Sequence, residues 1–88
     1  GYTALTANTT GTENVSLGAF NLSANTTGIK NTAIGKSAMQ ANTTGDYNVA
    51  VGVTALDANT DGDSNVAVGY TALKTLCILM YQGIAILF

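Results

Sequence analysis

Histidine, proline and tryptophan are absent from this sequence, cysteine occurs once, and only 9% of the residues are charged. Each absence excludes something. Without histidine the usual general base near neutral pH is missing, as is the commonest metal ligand. Cys77 has no second cysteine to pair with, so no internal disulfide forms and the redox compartment is unmarked. Three basic and five acidic residues give a net charge of −2. That is too weak a field to steer the chain to nucleic acid or an anionic membrane. Low charge beside 47% hydrophobic residues also argues against disorder, which needs the reverse balance. The sequence opens at Gly1, in mid-pattern, without a methionine or a signal peptide. It reads as part of something longer, its targeting information lost rather than absent.

What is present in quantity is Asn, Thr and Gly, and they repeat. Units begin at Gly1, Gly18, Gly35 and Gly52, each 17 residues after the last, and a fifth begins at Gly69. They read GYTALTANTTGTENVSL, GAFNLSANTTGIKNTAI, GKSAMQANTTGDYNVAV and GVTALDANTDGDSNVAV. Asn8, Asn25, Asn42 and Asn59 recur in step with Gly11, Gly28, Gly45 and Gly62, which chance does not produce. Residues 1–73 are therefore one repeat array, and residues 74–88 stand outside it.

Each unit position has a physical reading. Val15-Ser16-Leu17, Thr32-Ala33-Ile34, Val49-Ala50-Val51 and Val66-Ala67-Val68 read as short strands. Their flanking large residues are expected in the core and the small middle residue on the outer face, under a second surface. Asn14, Asn31, Asn48 and Asn65 sit where the chain turns a corner, and Asn tolerates left-handed backbone angles. Stacked in register, they are expected to form a hydrogen-bonded ladder. Asn-Thr-Thr-Gly reads as a turn whose glycine takes positive φ. Gly18, Gly35, Gly52 and Gly69 are expected to end the strands for the same reason. Tyr2-Thr3-Ala4-Leu5 and its equivalents are ambiguous, with a second short strand favoured over a helical turn. Under either reading Leu5, Leu22, Met39, Leu56 and Leu73 bury an apolar row.

One such unit cannot bury its own apolar face. Stacked at about 4.8 Å, successive units build a continuous core and pair the backbone of the inner coils. The expected fold is all-β, a parallel β-solenoid of 17-residue coils. Four coils span only about 20 Å, so the core is thin and lateral association is expected to support it.

Asn48-Val49-Ala50-Val51-Gly52 and Asn65-Val66-Ala67-Val68-Gly69 resemble the Ser/Asn-Val-Ala-Ile-Gly motif in the heads of trimeric autotransporter adhesins. The Asn-Thr-Thr-Gly and Gly-Tyr-x-Ala-Leu elements are similar to repeats of bacteriophage tail fibres and bacterial surface proteins. The resemblance covers residues 1–73, although the adhesin heads mostly repeat at shorter spacing. It implies a left-handed parallel β-roll, a homotrimer, and a fibrous extracellular, cell-surface or virion role in attachment or host recognition. A cell-surface glycan or receptor is the implied partner, with no nucleic acid, small-molecule substrate or cofactor.

Other features of the sequence each have a plainer reading. Asp46, Asp57, Asp61 and Asp63 suggest a calcium site, but the Gly-Gly-x-Gly-x-Asp pattern of calcium-binding rolls is missing, and solvated turn carboxylates explain them. Paired-carboxylate hydrolysis lacks an evident cleft, so no catalytic residue is assigned and no enzyme is expected. Thr9, Thr26, Thr43 and Thr60, with Thr10, Thr27 and Thr44, would stack into ranks able to order water or bind ice. The plainer reading is a hydroxyl ladder. Asn8, Asn14, Asn21, Asn25 and Asn42 lie in glycosylation sequons, read here as turn chemistry. Tyr2, Tyr47 and Tyr70 could stack on sugars, or simply pack at turns.

After Leu73 the composition turns apolar. Leu76 to Phe88 is 13 residues, where a membrane helix needs about 20, so a membrane anchor would have to be truncated. A capping hairpin turning at Gln82-Gly83 is a second reading. A third comes from codon degeneracy: read from the third base of the Thr75 codon, permitted codons spell Ala-Leu-Tyr-Ser-Asn-Val-Ser-Gly-Asn-Ser-Asn-Thr-Val. That matches the repeat consensus in a shifted frame, and on this third reading the tail is a frameshifted repeat.

Overall fold

The computed structural model describes residues 1–73 and the backbone of residues 83–86. The strands are β1 (Val15–Leu17), β2 (Thr32–Ile34), β3 (Val49–Val51), β4 (Asn65–Val68) and β5 (Gly83–Ile86). They form one parallel sheet in the order β1-β2-β3-β4-β5. No helix occurs among the described residues, so the chain is all-β with an open parallel sheet.

Register follows the sequence period. Val15 pairs with Thr32, Thr32 with Val49, and Val49 with Val66, each one unit along. Sheet hydrogen bonds such as Thr32 N to Asn48 O and Gly52 N to Ile34 O are both 2.8 Å. The last pairing differs: Asn65 meets Gly83 and Val66 meets Ile84, a step of 18 rather than 17. Gly83, read from sequence as the turn of a capping hairpin, is instead the first residue of a parallel strand. The rest of that hairpin, and the membrane and frameshift readings, fall largely outside the described residues.

The strand faces are the reverse of the sequence expectation. Ala33, Ala50 and Ala67, the middle residues, are fully buried. The flanking residues point outward and stay partly exposed, with Val15 at 51% and Leu17 at 63%. The reason is volume. Each coil is narrow, and its interior already holds one large apolar residue and several asparagines. Leu22, Met39 and Leu56 are fully buried, as are Asn25, Asn31, Asn42, Asn48 and Asn65. An alanine is what still fits. Leu5 and Leu73 pack against this core at the two ends, so the apolar row runs through every coil as its spacing required.

The Tyr-Thr-Ala-Leu segments are neither strands nor helical turns. They are irregular turns in which every other residue is left-handed: Thr54 has φ 58° and Leu56 φ 54°, as do their equivalents in each unit. Such angles cost a non-glycine residue about 1–2 kcal/mol. Hydrogen bonding between coils offsets that cost. Met39 N donates to Ala55 O below 3.0 Å and Thr54 N to Lys36 O at 2.9 Å, so each segment bonds to both neighbours.

Two further turn expectations are corrected. Gly11, Gly28, Gly45 and Gly62 do not take positive φ, whereas Gly18, Gly35, Gly52 and Gly69 do, at 118° to 131°. Nor do Asn14, Asn31, Asn48 and Asn65 adopt left-handed angles. The corner is turned one residue earlier, at Glu13, Lys30, Tyr47 and Ser64, with φ between 56° and 62°.

Candidate functional site

Two asparagine ladders run the length of the stack. In the first, Asn25 Nδ2 donates to Asn8 Oδ1, Asn42 Nδ2 to Asn25 Oδ1, and Asn59 Nδ2 to Asn42 Oδ1, each at 2.9 Å. The second proton of each amide goes to the turn glycine of its own coil, Gly28, Gly45 or Gly62, at 3.1 Å. In the second ladder the backbone N–H of Asn31, Asn48 and Asn65 donates to Oδ1 of the asparagine one coil earlier, at 2.9 Å. The side-chain amides of Asn14, Asn31 and Asn48 donate forward to Gly28, Gly45 and Gly62 O at 2.8 Å.

The glycine carbonyl is thus the junction of the two ladders. Gly45 O accepts from Asn42 Nδ2 and from Asn31 Nδ2, filling both lone pairs. This explains why the turn needs glycine although its φ is ordinary. A Cβ on Gly45 would lie 2.5 Å from Asn42 Oδ1 and 2.5 Å from Gly62 O. Glycine here serves close approach of backbone to backbone.

Sequence reasoning missed one polar pair. Ser16 Oγ donates to Asn21 Oδ1 at 2.6 Å, and Asn21 Nδ2 donates to Ala33 O at 3.2 Å. The signal was available. Ser16 and Asn21 each replace the alanine found at that unit position in other coils, and two small-to-polar departures five residues apart mark a buried pair.

The threonine rows divide by role. Thr9, Thr26 and Thr43 donate their hydroxyls to Thr26, Thr43 and Thr60 O at 3.0–3.3 Å, so they are spent on the ladder. Thr10, Thr27 and Thr44 form an exposed rank beside them. The acidic residues also serve the backbone: Asp46 Oδ1 accepts from Ile29 N at 2.9 Å and Asp63 Oδ1 from Asp46 N at 2.8 Å. No group of three His, Cys, Asp or Glu side chains converges to hold a metal among the described residues. Of the sequon asparagines, Asn21, Asn25 and Asn42 are fully buried, so the folded stack leaves no room for a glycan there.

The aromatics are spread across coils. Lys30 Nζ lies 5.4 Å from the Tyr47 ring centroid, and Tyr2 meets Phe20 edge-on at 5.6 Å. Tyr2 and Tyr70 project into solvent, far from one another along the stack. Among the described residues no helix is long and apolar enough to cross a membrane, and no cavity opens.

The one extended surface of uniform character is the outer face of the sheet. Val15, Leu17, Ile34, Val49, Val51, Val66 and Val68 stand on it in two columns, with Thr32 the single polar member. Fold and ladders together define a class: an all-β repeat chain whose parallel strands stack in register. No protein-family model matches the chain, and searches of curated proteins and of solved structures find no match.

Proposed function

We propose that this chain is a β-solenoid segment of a fibrous surface adhesin or phage tail fibre, built of 17-residue coils and working as a homotrimer. Its role is structural: it forms part of a shaft or head that contributes to attachment or host recognition at a cell or virion surface. No catalytic role is proposed. The observation that carries this reading is the partly exposed apolar outer face of β1–β4.

Parallel sheets are ordinarily covered on both faces. Here the inner face is covered by the chain itself and the outer face by nothing in the chain described. Three residues by four strands make a patch of about 200 Å². A standard interface takes about 800 Å² from each partner. Four coils therefore supply about a quarter of what a stable pairing needs, and a long array of coils supplies the whole. Repetition is then functional, because each added coil extends the same seam.

Sedimentation equilibrium tests this. A chain lengthened to twelve coils by duplicating Gly35–Val51 is expected to be a trimer. Replacing Val51 and its duplicates by Lys should return it to monomer with an unchanged circular dichroism spectrum. A lengthened chain that stays a folded monomer would overturn the reading.

A second reading is favoured by the exposed rank of Thr10, Thr27 and Thr44, which repeats along the stack at the coil spacing. On this reading the surface organises water or ice. Thermal hysteresis is then expected from the full chain and should vanish in Thr27→Lys. Its absence in the parent chain removes this reading and leaves the first untouched.

A further inference from the structure

The corner at which each coil enters its strand carries one side chain per coil: Glu13, Lys30, Tyr47 and Ser64. All four share one left-handed backbone, with φ between 56° and 62°, so their Cβ atoms leave the chain in the same direction, one above another. The coils are tied together there: Tyr47 N donates to Ile29 O and Ser64 N to Asp46 O, both at 3.0 Å. Tyr47 thus stands between a long cation and a short hydroxyl. Lys30 Nζ lies 5.4 Å from its ring centroid and covers one face. Ser64 ends at Oγ, too short to cover the other, and Tyr47 is 51% exposed. On the side of that open face Asp63 is held in place: its Oδ1 accepts from Asp46 N, one residue before Tyr47, at 2.8 Å. Asp63 is itself exposed, and within the described residues its second oxygen has no hydrogen-bond partner.

From this grouping we propose that Tyr47, Asp63 and Ser64 form a binding site for a neutral hexopyranose, such as the end of a cell-surface glycan. The apolar C–H face of the sugar lies on the open face of Tyr47, whose negative π-cloud attracts the C–H hydrogens. Two neighbouring sugar hydroxyls donate to the Asp63 carboxylate in charge-assisted bonds. Lys30 works from the opposite face, where its ammonium steadies the ring and lowers the cost of ordering it on binding. Charge selects the sugar. Asp61 and Asp63 stand on the coil that would face the ligand, and the one cation of this corner sits behind the ring. A sialic acid or a sulfated sugar would bring its anion against those carboxylates and be refused. Tyr2 lacks the arrangement: Phe20 meets its ring edge-on at 5.6 Å, and no carboxylate is fixed beside it. The Tyr47 site gives the attachment role proposed above its receptor chemistry and rests on that reading for its use, although the contact itself needs only one chain.

NMR titration of the full chain with methyl β-galactoside, methyl β-glucoside and N-acetylneuraminic acid tests it. A neutral glycoside is expected to shift the Tyr47 ring signals and the Asp63 and Ser64 amides, and the acid to leave them in place. Tyr47→Ala should weaken binding about tenfold. Asp63→Asn keeps an acceptor for Asp46 N but loses the charge, and should weaken it about fivefold. Tyr47→Phe retains the ring and should retain the affinity, and Tyr2→Ala should leave it unchanged. Silence of both glycosides at Tyr47, tighter binding of the acid, or binding that survives Tyr47→Ala in a folded chain would overturn the site. None of these signals depends on oligomeric state. A monomer that binds the glycoside removes the trimer alone, and a trimer that does not bind it removes the site alone.

Discussion

Replacing Asn42 by leucine should unfold this protein or leave it barely folded at 25 °C. Asn42 sits mid-ladder and its amide serves three partners. Nδ2 donates to Asn25 Oδ1 and to Gly45 O, and Oδ1 accepts from Asn59 Nδ2. Leucine has nearly the same size and fills the same space, so no cavity is left to explain the result. It strands one buried carbonyl and one buried amide on neighbouring coils and removes a partner from Gly45 O. At about 1–3 kcal/mol for each buried group left unsatisfied, the loss is about 4 kcal/mol. A domain of this size has roughly 4–13 kcal/mol in total. Urea unfolding monitored by circular dichroism measures the loss directly, and a change below about 1 kcal/mol would show that the ladder is ornament.

The charge variant sharpens the result. Asn42→Asp places a carboxylate against Asn25 Oδ1 and Gly45 O, both acceptors. Burial and these neighbours favour the protonated form, so the new group's pKa in the folded state rises above its unfolded value. The unfolded state then releases the proton more readily, and stability falls as pH rises through the carboxylate range. The variant should therefore be closer to the parent at acidic pH than at neutral pH.

Gly45→Ala is expected to be nearly as damaging, for a reason of space. The added Cβ would stand 2.5 Å from Gly62 O, a backbone atom that can retreat only if the coils part. Parting them lengthens the bonds of Thr43 N, Thr44 N and Gly45 N to Thr60 O, now 2.8 to 3.3 Å. Overpacking of this kind costs about 3 kcal/mol, which in a chain of this length lowers the melting temperature by roughly 15 °C. An exposed change on the same turn, Thr44→Ala, removes no hydrogen-bond partner of the ladder and serves as the control. Equal melting temperatures for Gly45→Ala and the parent would mean that the coils stand further apart than the ladder distances require.

Much of this architecture was legible because the chain repeats. Asn8, Asn25, Asn42 and Asn59 recur at one spacing with the same neighbours, and identical units have one simple way to satisfy identical needs: like over like. That argument places Val49 beside Val66 and Asn42 beside Asn59, and both are found so, the second pair at 2.9 Å. The Ser16–Asn21 pair was legible too, as a matched departure from the repeat, but it was visible only to a reader asking where the units differ.

The unit's inner geometry was not legible. Alternation along Val49-Ala50-Val51 says that the two valines share a face and the alanine takes the other. It does not say which face is inside. That depends on the width of the coil, and the width depends on how the Tyr-Thr-Ala-Leu segment runs. The left-handed angles at Thr54 and Leu56 are invisible to propensity, since neither residue favours them alone; they are held by bonds to the coils on either side.

Sequence alone determined the period, the register of coil on coil, the two asparagine columns and the buried row of Leu22, Met39 and Leu56. These follow from translation along the stack, and a repeat records its own translation. Tertiary structure decided what lies inward and what lies outward, which atom of each asparagine bonds to which neighbour, and why the turn glycine at ordinary φ must still be glycine. Those depend on the distance across a coil and between coils, which no single unit contains.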